Sequence, residues 1–233
     1  MKLHSCVQGS TEWLRLRMGK PTASQFSRIV TPTGKVSTSQ DAYMRELVAE
    51  LIIGRPLEGP KMPWMERGKD LEAEAVAFYE FQKDVETEVV GFMTNDAETI
   101  GASPDRRVSP TRLLQVKCPS PAVHVGCLLF DDVSKEYKPQ LQGELYIAEA
   151  EVNDIISYHP EMPHALVSVQ RDEEFIKLLD AELQKFVAKL AEKRAELDKR
   201  GLLAKPAAEQ DHSADFLSDE DVERLIEAQR VSV

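Results

Sequence analysis

The sequence predicts an α/β (α+β) fold in which helices flank a central mixed β-sheet. Three observations carry that expectation: apolar residues at helical spacing through the first third of the chain, short alternating runs between positions 85 and 118, and a long helical pattern over 173–200. Helices before, across and after a set of strands mark a layered mixed fold.

Pro21, with Thr22 and Ser24 close behind, predicts a short helix over 22–30 whose first turn exposes backbone N–H groups. Tyr43, Leu47, Val48 and Leu51 form one stripe of a helix over 39–53, stopped by Gly54 and Pro56. Leu71, Ala75, Phe78 and Tyr79 define a third helix over 64–82, with Gly68 near its start. The period then changes to that of strands over 85–93, 99–103 and 113–118, separated by turns at Asn95-Asp96 and Ser109-Pro110. A helix bearing Leu141, Leu145, Tyr146 and Ala148 follows, then strands over 154–159 and 165–170 joined through Pro160 and Pro163. The helix over 173–200 ends at Gly201, a favoured left-handed cap. A Pro/Ala/polar linker over 205–213 leads to a short acidic helix over 218–230, capped by Ser218 with Val222, Leu225 and Ile226 on one side. The expected organisation is therefore a folded domain over 1–204 and a linker with an acidic tail over 205–233.

At 233 residues and 42% apolar, the chain has material for one large core. Its longest apolar runs, 51–53 and 125–130, fall far short of the roughly 20 residues of a membrane helix, so no membrane partner is expected. The opening MKLHSCVQGSTEW has no uninterrupted apolar run and no small-residue cleavage site, which argues for the cytoplasm. The odd set Cys6, Cys118 and Cys127 lacks zinc or disulfide spacing and reads as free thiols. Net charge −11 argues superficially against nucleic acid, but residues 206–233 carry −6 of it. The first 205 residues hold only −5, with Arg15, Arg17, Lys20 and Arg28 clustered early.

The most informative stretch is Ser103-Pro104-Asp105, nine intervening residues, then Gln115-Val116-Lys117. Two strands joined by a turn bring Asp105 beside Gln115 and Lys117 at neighbouring strand ends, and the period of two puts Gln115 and Lys117 on one face. That geometry suits phosphodiester hydrolysis. A hard cation such as Mg²⁺ takes oxygen ligands, here Asp105, the Gln115 side-chain carbonyl and the Val116 backbone carbonyl. Lys117 can orient the attacking water and stabilise charge developing on phosphorus. Glu72, on the turn after Gly68-Lys69, is a further carboxylate if its helix packs on the sheet. Gln142 and Tyr146 are four apart on one helix face, within reach of a nucleophile or phosphate oxygen.

Pro104-Asp105 followed by Gln115-x-Lys117 resembles the signature of the PD-(D/E)XK nucleases, and Gln142-x-x-x-Tyr146 resembles the Q-x-x-x-Y motif of their RecB-like branch. The segment from Gln8-Gly9-Ser10-Thr11-Glu12-Trp13-Leu14-Arg15-Leu16-Arg17-Met18-Gly19 to Thr22-Ala23-Ser24 resembles the opening of lambda exonuclease and the YqaJ-type viral recombinases, and Gly68-Lys69-x-x-Glu72 their next motif. Together these matches cover residues 8–200. The resemblance implies a restriction-endonuclease-like core in which Asp105 and Gln115 ligate metal, Glu72 adds a carboxylate and Lys117 is the catalytic lysine. It implies that Arg17, Ser24 and Ser103 hold the 5′-phosphate of a DNA end, a chemically sensible set of one guanidinium and two hydroxyls. It further implies Mg²⁺ dependence with Mn²⁺ as a substitute, double-stranded DNA ends as substrate, a homotrimeric ring, a single-strand-annealing protein as partner, and a bacterial or phage-infected cell as setting.

One position departs from the pattern: where the family carries a carboxylate before x-Lys, this chain has Gln115. Either Gln-x-Lys is a natural variant of a diverse superfamily, or it is an isosteric Glu→Gln change that traps uncut DNA. The expected activity is a 5′→3′ exonuclease that leaves a 3′ overhang. Its rivals are an end-binding protein whose catalysis has lapsed at Gln115 and a sequence-specific endonuclease on the same fold.

Ordinary readings stand beside these. Asp105 after Pro104 is also a common turn residue, Lys117 also suits an exposed strand face, Arg17 a surface cation and Ser24 a helix cap. Trp13 is expected as a core anchor, and His124, His159 and His164 as loop or strand-end residues without metal spacing. The acidic tail reads as a solvated appendage.

Overall fold

Residues 112–117 and 152–157 are buried at consecutive positions, as strands covered on both faces must be, and they pair as inner strands of a sheet. The computed structural model describes residues 1–57, 63–130 and 135–204, with the side chains of 63–70 and 130 outside that description. The expected linker, the acidic helix and the Lys69 side chain lie outside the described residues.

The strands are β1 (Lys2–His4), β2 (Glu88–Val89), β3 (Phe92–Thr94), β4 (Gly101–Ala102), β5 (Arg106–Ser109), β6 (Arg112–Lys117), β7 (Val152–Ser157) and β8 (Ala165–Gln170). The helices are α1 (Thr11–Arg17), a 3₁₀ turn (Ala23–Arg28), α2 (Gln40–Ile53), α3 (Pro63–Lys83), α4 (Pro121–Phe130), α5 (Lys138–Ala148) and α6 (Glu173–Lys199). The expected mixed sheet is present as five strands in the order β2-β5-β6-β7-β8. All its neighbours are antiparallel except β6 and β7, which run parallel with Gln115 opposite Ile155. A parallel pair needs a crossover, and α4 and α5 supply it.

A second, three-stranded sheet, β1-β3-β4, departs from the single sheet expected. The run at 85–93 divides at Val90-Gly91 and sends β2 and β3 to different sheets. Gly91 is the reason: a Cβ there would collide with the backbone of His4 and Cys6, so the N-terminal strand docks only against glycine. Helices α1 and α4 also go beyond the sequence reading. Ser10 caps α1, accepting from Trp13 N at 3.2 Å.

Helix α3 lays Ala75, Val76 and Tyr79 on Leu114, Val116 and Ile156. Beneath it Asp154, fully buried, accepts from Tyr79 (2.6 Å), Arg112 (2.8 and 2.9 Å) and Ser168 (2.6 Å), tying α3 to three strands. On the other side, Tyr43, Leu47 and Leu51 of α2 join Leu179, Leu183 and Phe186 of α6 in the larger core. Gly143 in α5 admits the Phe26 ring, which any Cβ would strike, and so seats the 3₁₀ turn on α5. Among the described residues no helix is long and apolar enough to cross a membrane.

Candidate active site

The hairpin β5–β6 pairs Arg106 with Leu114, so Asp105 stands immediately beyond the last pair and faces the continuing edge of β6. There its Oδ2 accepts from Val116 N at 2.7 Å and from Gln115 Nε2 at 2.6 Å. Lys117 O accepts from Tyr158 N at 2.8 Å on the β7 side, and strand alternation therefore turns the Val116 carbonyl to the Asp105 edge. Gln115 is 4% exposed, and its Oε1 is buried without a hydrogen-bond partner. An orphaned buried carbonyl oxygen is costly, and here it stands beside a carboxylate.

Burial pushes the Asp105 carboxyl up to about 7, against the opposing pull of the Lys117 ammonium and the Val116 N–H; Glu72 and Glu144 raise it further by repulsion. Glu72 reaches the site because α3 packs on β6. The Lys117 ammonium lies 4.9 Å from the centre of the Tyr137 ring.

The same cleft, of ≈ 590 Å³, contains Arg17, Ser24, Glu72, Ser103, Asp105, Gln115, Val116 and Lys117, so eight of the nine expected site residues converge. Residues 79 or more positions apart meet because Thr22 bridges Gly101 and Gly101 N donates to Pro21 O at 3.1 Å. That link sets Arg17 and Ser24 beside Ser103, which follows β4. Arg17 Nη2 donates to Thr22 Oγ1 (3.3 Å) and Ser24 Oγ (3.4 Å). Burial lowers the pKa of its guanidinium, and no carboxylate lies within ion-pair distance of it among the described residues. Ser24 lies inside the 3₁₀ turn, and Thr22 holds the cap position.

The ninth residue, Gln142, stands elsewhere. Its amide donates to Gln170 O and accepts from Asp172 N, both at 2.8 Å, pinning the β8–α6 junction. Tyr146 likewise donates to Asp180 at 2.7 Å. Gln140, two positions earlier on α5, lines the cleft instead and donates to the buried Glu144 at 2.8 Å. Burial raises the Glu144 carboxyl, and Lys117 draws it back.

Trp13 departs from its expected role as core anchor: half-buried, it lines the cleft with Gln8 and Tyr137. Gln8 holds the Pro104 loop by donating to Val90 O (2.8 Å) and Pro104 O (3.1 Å). Its fixed distance from Trp13 within the N-terminal motif was the available signal. His124 is a fully buried residue of α4 paired with Ser157 and Pro163 O, rather than a loop residue.

No cluster of three or more His, Cys, Asp or Glu with metal-holding geometry exists among the described residues. The donor set nonetheless fits a hard divalent cation: the Asp105 carboxylate, the orphaned Gln115 Oε1 and the Val116 carbonyl are all oxygens, with Glu72 in the same cleft.

The fold is similar to the crystal structure of the alkaline exonuclease LHK-Exo from Laribacter hongkongensis, at 26% identity and TM-score 0.74, covering 82% of this chain and 98% of that one. LHK-Exo in complex with dAMP is similar at 27% identity and TM-score 0.74 over the same shares. A phage related exonuclease from Haemophilus somnus 129PT shares the fold at 17% identity and TM-score 0.61, covering 78% of this chain and 96% of that chain. No curated protein matches. The sequence from 12 to 151 matches the YqaJ-like viral recombinase domain, and the chain belongs to that family.

Proposed function

We propose that the protein is a metal-dependent exonuclease that degrades one strand of linear duplex DNA from a 5′-phosphorylated end, 5′→3′, leaving a 3′ overhang for strand annealing. One observation carries this reading: a single cleft joins the Asp105–Gln115–Lys117 centre to a half-buried arginine with two serine hydroxyls and, among the described residues, no carboxylate at ion-pair distance. A partly desolvated guanidinium without an ion-pair partner among the described residues suits an anion, and the terminal phosphate is the anion a DNA end supplies. The kinship with alkaline exonucleases supports the same chemistry.

Asp105, Gln115 Oε1 and the Val116 carbonyl would hold Mg²⁺, or Mn²⁺ in its place, with Glu72 nearby. When bound, the cation lowers the pKa of the attacking water and offsets charge on the phosphoryl oxygens. Lys117, drawn toward Asp105 and Glu144, orients the water and meets the negative charge that grows on phosphorus. Arg17, Ser24 and Ser103 bind the terminal phosphate and so fix which bond lies over Asp105.

Digestion of linear duplex with and without a 5′-phosphate, beside the same DNA as a closed circle, tests the reading. Faster loss of the phosphorylated linear form, with the circle intact, is expected. Cutting of the circle would reveal an endonuclease and overturn it. Gln115 favours a second reading, an end-binding protein without turnover, because its amide donates to the carboxylate that should hold metal. Binding to ends with no cleavage at any Mg²⁺ or Mn²⁺ concentration would establish that reading. A homotrimeric ring acting with an annealing protein belongs to the same proposal, and mass in solution tests the ring.

A further inference from the structure

We propose that Trp13 is a positioning residue of the anion subsite, fixing both the Arg17 guanidinium and the direction of the Ser103 hydroxyl; this rests on reading that subsite as the seat of a 5′-phosphate. Trp13 and Arg17 are four residues apart on α1, so their side chains leave the same face. The guanidinium carbon sits 4.1 Å from the centre of the indole ring, a cation held over an aromatic face. The polar edge of that ring reaches the exit of β4, where Nε1 donates to Ser103 Oγ at 2.9 Å.

An indole N–H only donates, so Ser103 Oγ accepts, and the single hydroxyl proton is left for another acceptor. Trp13 thereby makes Ser103 a donor toward the cleft. Arg17 likewise only donates to Ser24 and Thr22, and because these two hydroxyls also bond to each other at 3.4 Å, one proton of the pair is left for another acceptor. The result is a proton to give from Ser103 and another from the Thr22–Ser24 pair, beside a cation with no ion-pair partner among the described residues. An acceptor rich in oxygen and negative charge completes it. One indole links the two halves of this subsite, which come from opposite ends of a stretch of 90 residues. With Arg17 over its face, the ring is poorly placed to stack on a base.

The test is equilibrium binding of the full chain to blunt linear duplexes bearing a 5′-phosphate or a 5′-hydroxyl, in EDTA, read by fluorescence anisotropy as the ratio of the two Kd values. Trp13→Phe keeps a ring under Arg17 and removes the N–H. The ratio is expected to fall severalfold, up to about tenfold, the worth of one neutral hydrogen bond. Trp13→Leu removes both functions and should bring the ratio close to one. In a Ser103→Ala background, Trp13→Phe should change the ratio no further.

A ratio that survives Trp13→Phe overturns the inference, as does proportional weakening of both ends, which packing or base stacking would give. A wild-type ratio of one sinks the 5′-phosphate reading itself, whereas a wild-type preference untouched by Trp13→Phe sinks this inference alone. Thermal unfolding runs alongside; should Trp13→Leu fail to fold, Trp13→Phe, close in volume, decides.

Discussion

Replacing Gln115 by Glu sets a carboxylate oxygen where the amide Nε2 now stands, 2.6 Å from Asp105 Oδ2 and donating to it. At pH 8 the variant's two facing carboxyls, one of them already raised by burial, either repel each other or take up a proton from solution, and both cost stability. The lost hydrogen bond to a charged group is worth about 1.5–3 kcal/mol, and repulsion adds to it. For a chain of this length each kcal/mol moves Tm by about 2–4 °C, so a loss of about 2–3 kcal/mol predicts Gln115→Glu melting roughly 4–12 °C below wild type in EDTA. Mg²⁺ should close much of that gap. A cation gains a second carboxylate ligand, and at a hundred times its Kd it stabilises the variant by about 2.7 kcal/mol. At pH 5.5 the pair shares a proton and the deficit in EDTA should shrink. Scanning fluorimetry at both pH values, with EDTA or Mg²⁺, measures all of this. Equal Tm values in EDTA at pH 8, or equal shifts with Mg²⁺, would refute the placement of Gln115 in the cation site.

Lys117→Ala should slow cleavage by about 10²-fold or more, since it removes the positive charge facing the phosphoryl group, while Tm stays within a few degrees; normal digestion would remove Lys117 from the mechanism. The raised carboxyl of Asp105 holds its proton more tightly folded than unfolded. Its contribution to stability is therefore full below the ordinary carboxylate range and lost as pH rises to about 7, and Asp105→Asn should flatten that part of a pH–Tm profile taken in EDTA. Asp154→Ala strands Arg112, Tyr79 and Ser168 around a vacated site and should cost about 3–5 kcal/mol in urea unfolding. A loss below about 1 kcal/mol would show that this network does not anchor α3.

The elements with strong periodicity were legible before the structure. Tyr43, Leu47 and Leu51 are buried together, Gly201 ends its helix at φ 64°, and the hairpin brings Asp105 to Gln115. The small sheet was not, because two- and three-residue strands carry no measurable period and Gly91 reveals its close contact only once His4 and Cys6 arrive. Gln142 and Gln140 show a further limit. Both sit on α5, and a four-residue spacing says which face they share, not whether that face meets the cleft or the β8–α6 junction. Trp13 illustrates the same point from the other side: an aromatic residue at helical spacing suits a core equally well.

By itself the sequence determined what local spacing encodes: the helices, the hairpin with a carboxylate facing an amide and a lysine, and an oxygen-rich donor set suited to a hard cation. Only the tertiary structure decided that residues 8–24 close over residues 103–117. That meeting depends on the Thr22–Gly101 bridge, the Gln8 contact with Pro104 and the seat of Phe26 on Gly143. Each joins segments at least 79 residues apart, and periodicity reports a residue's face on its own element without naming the distant element that will cover it.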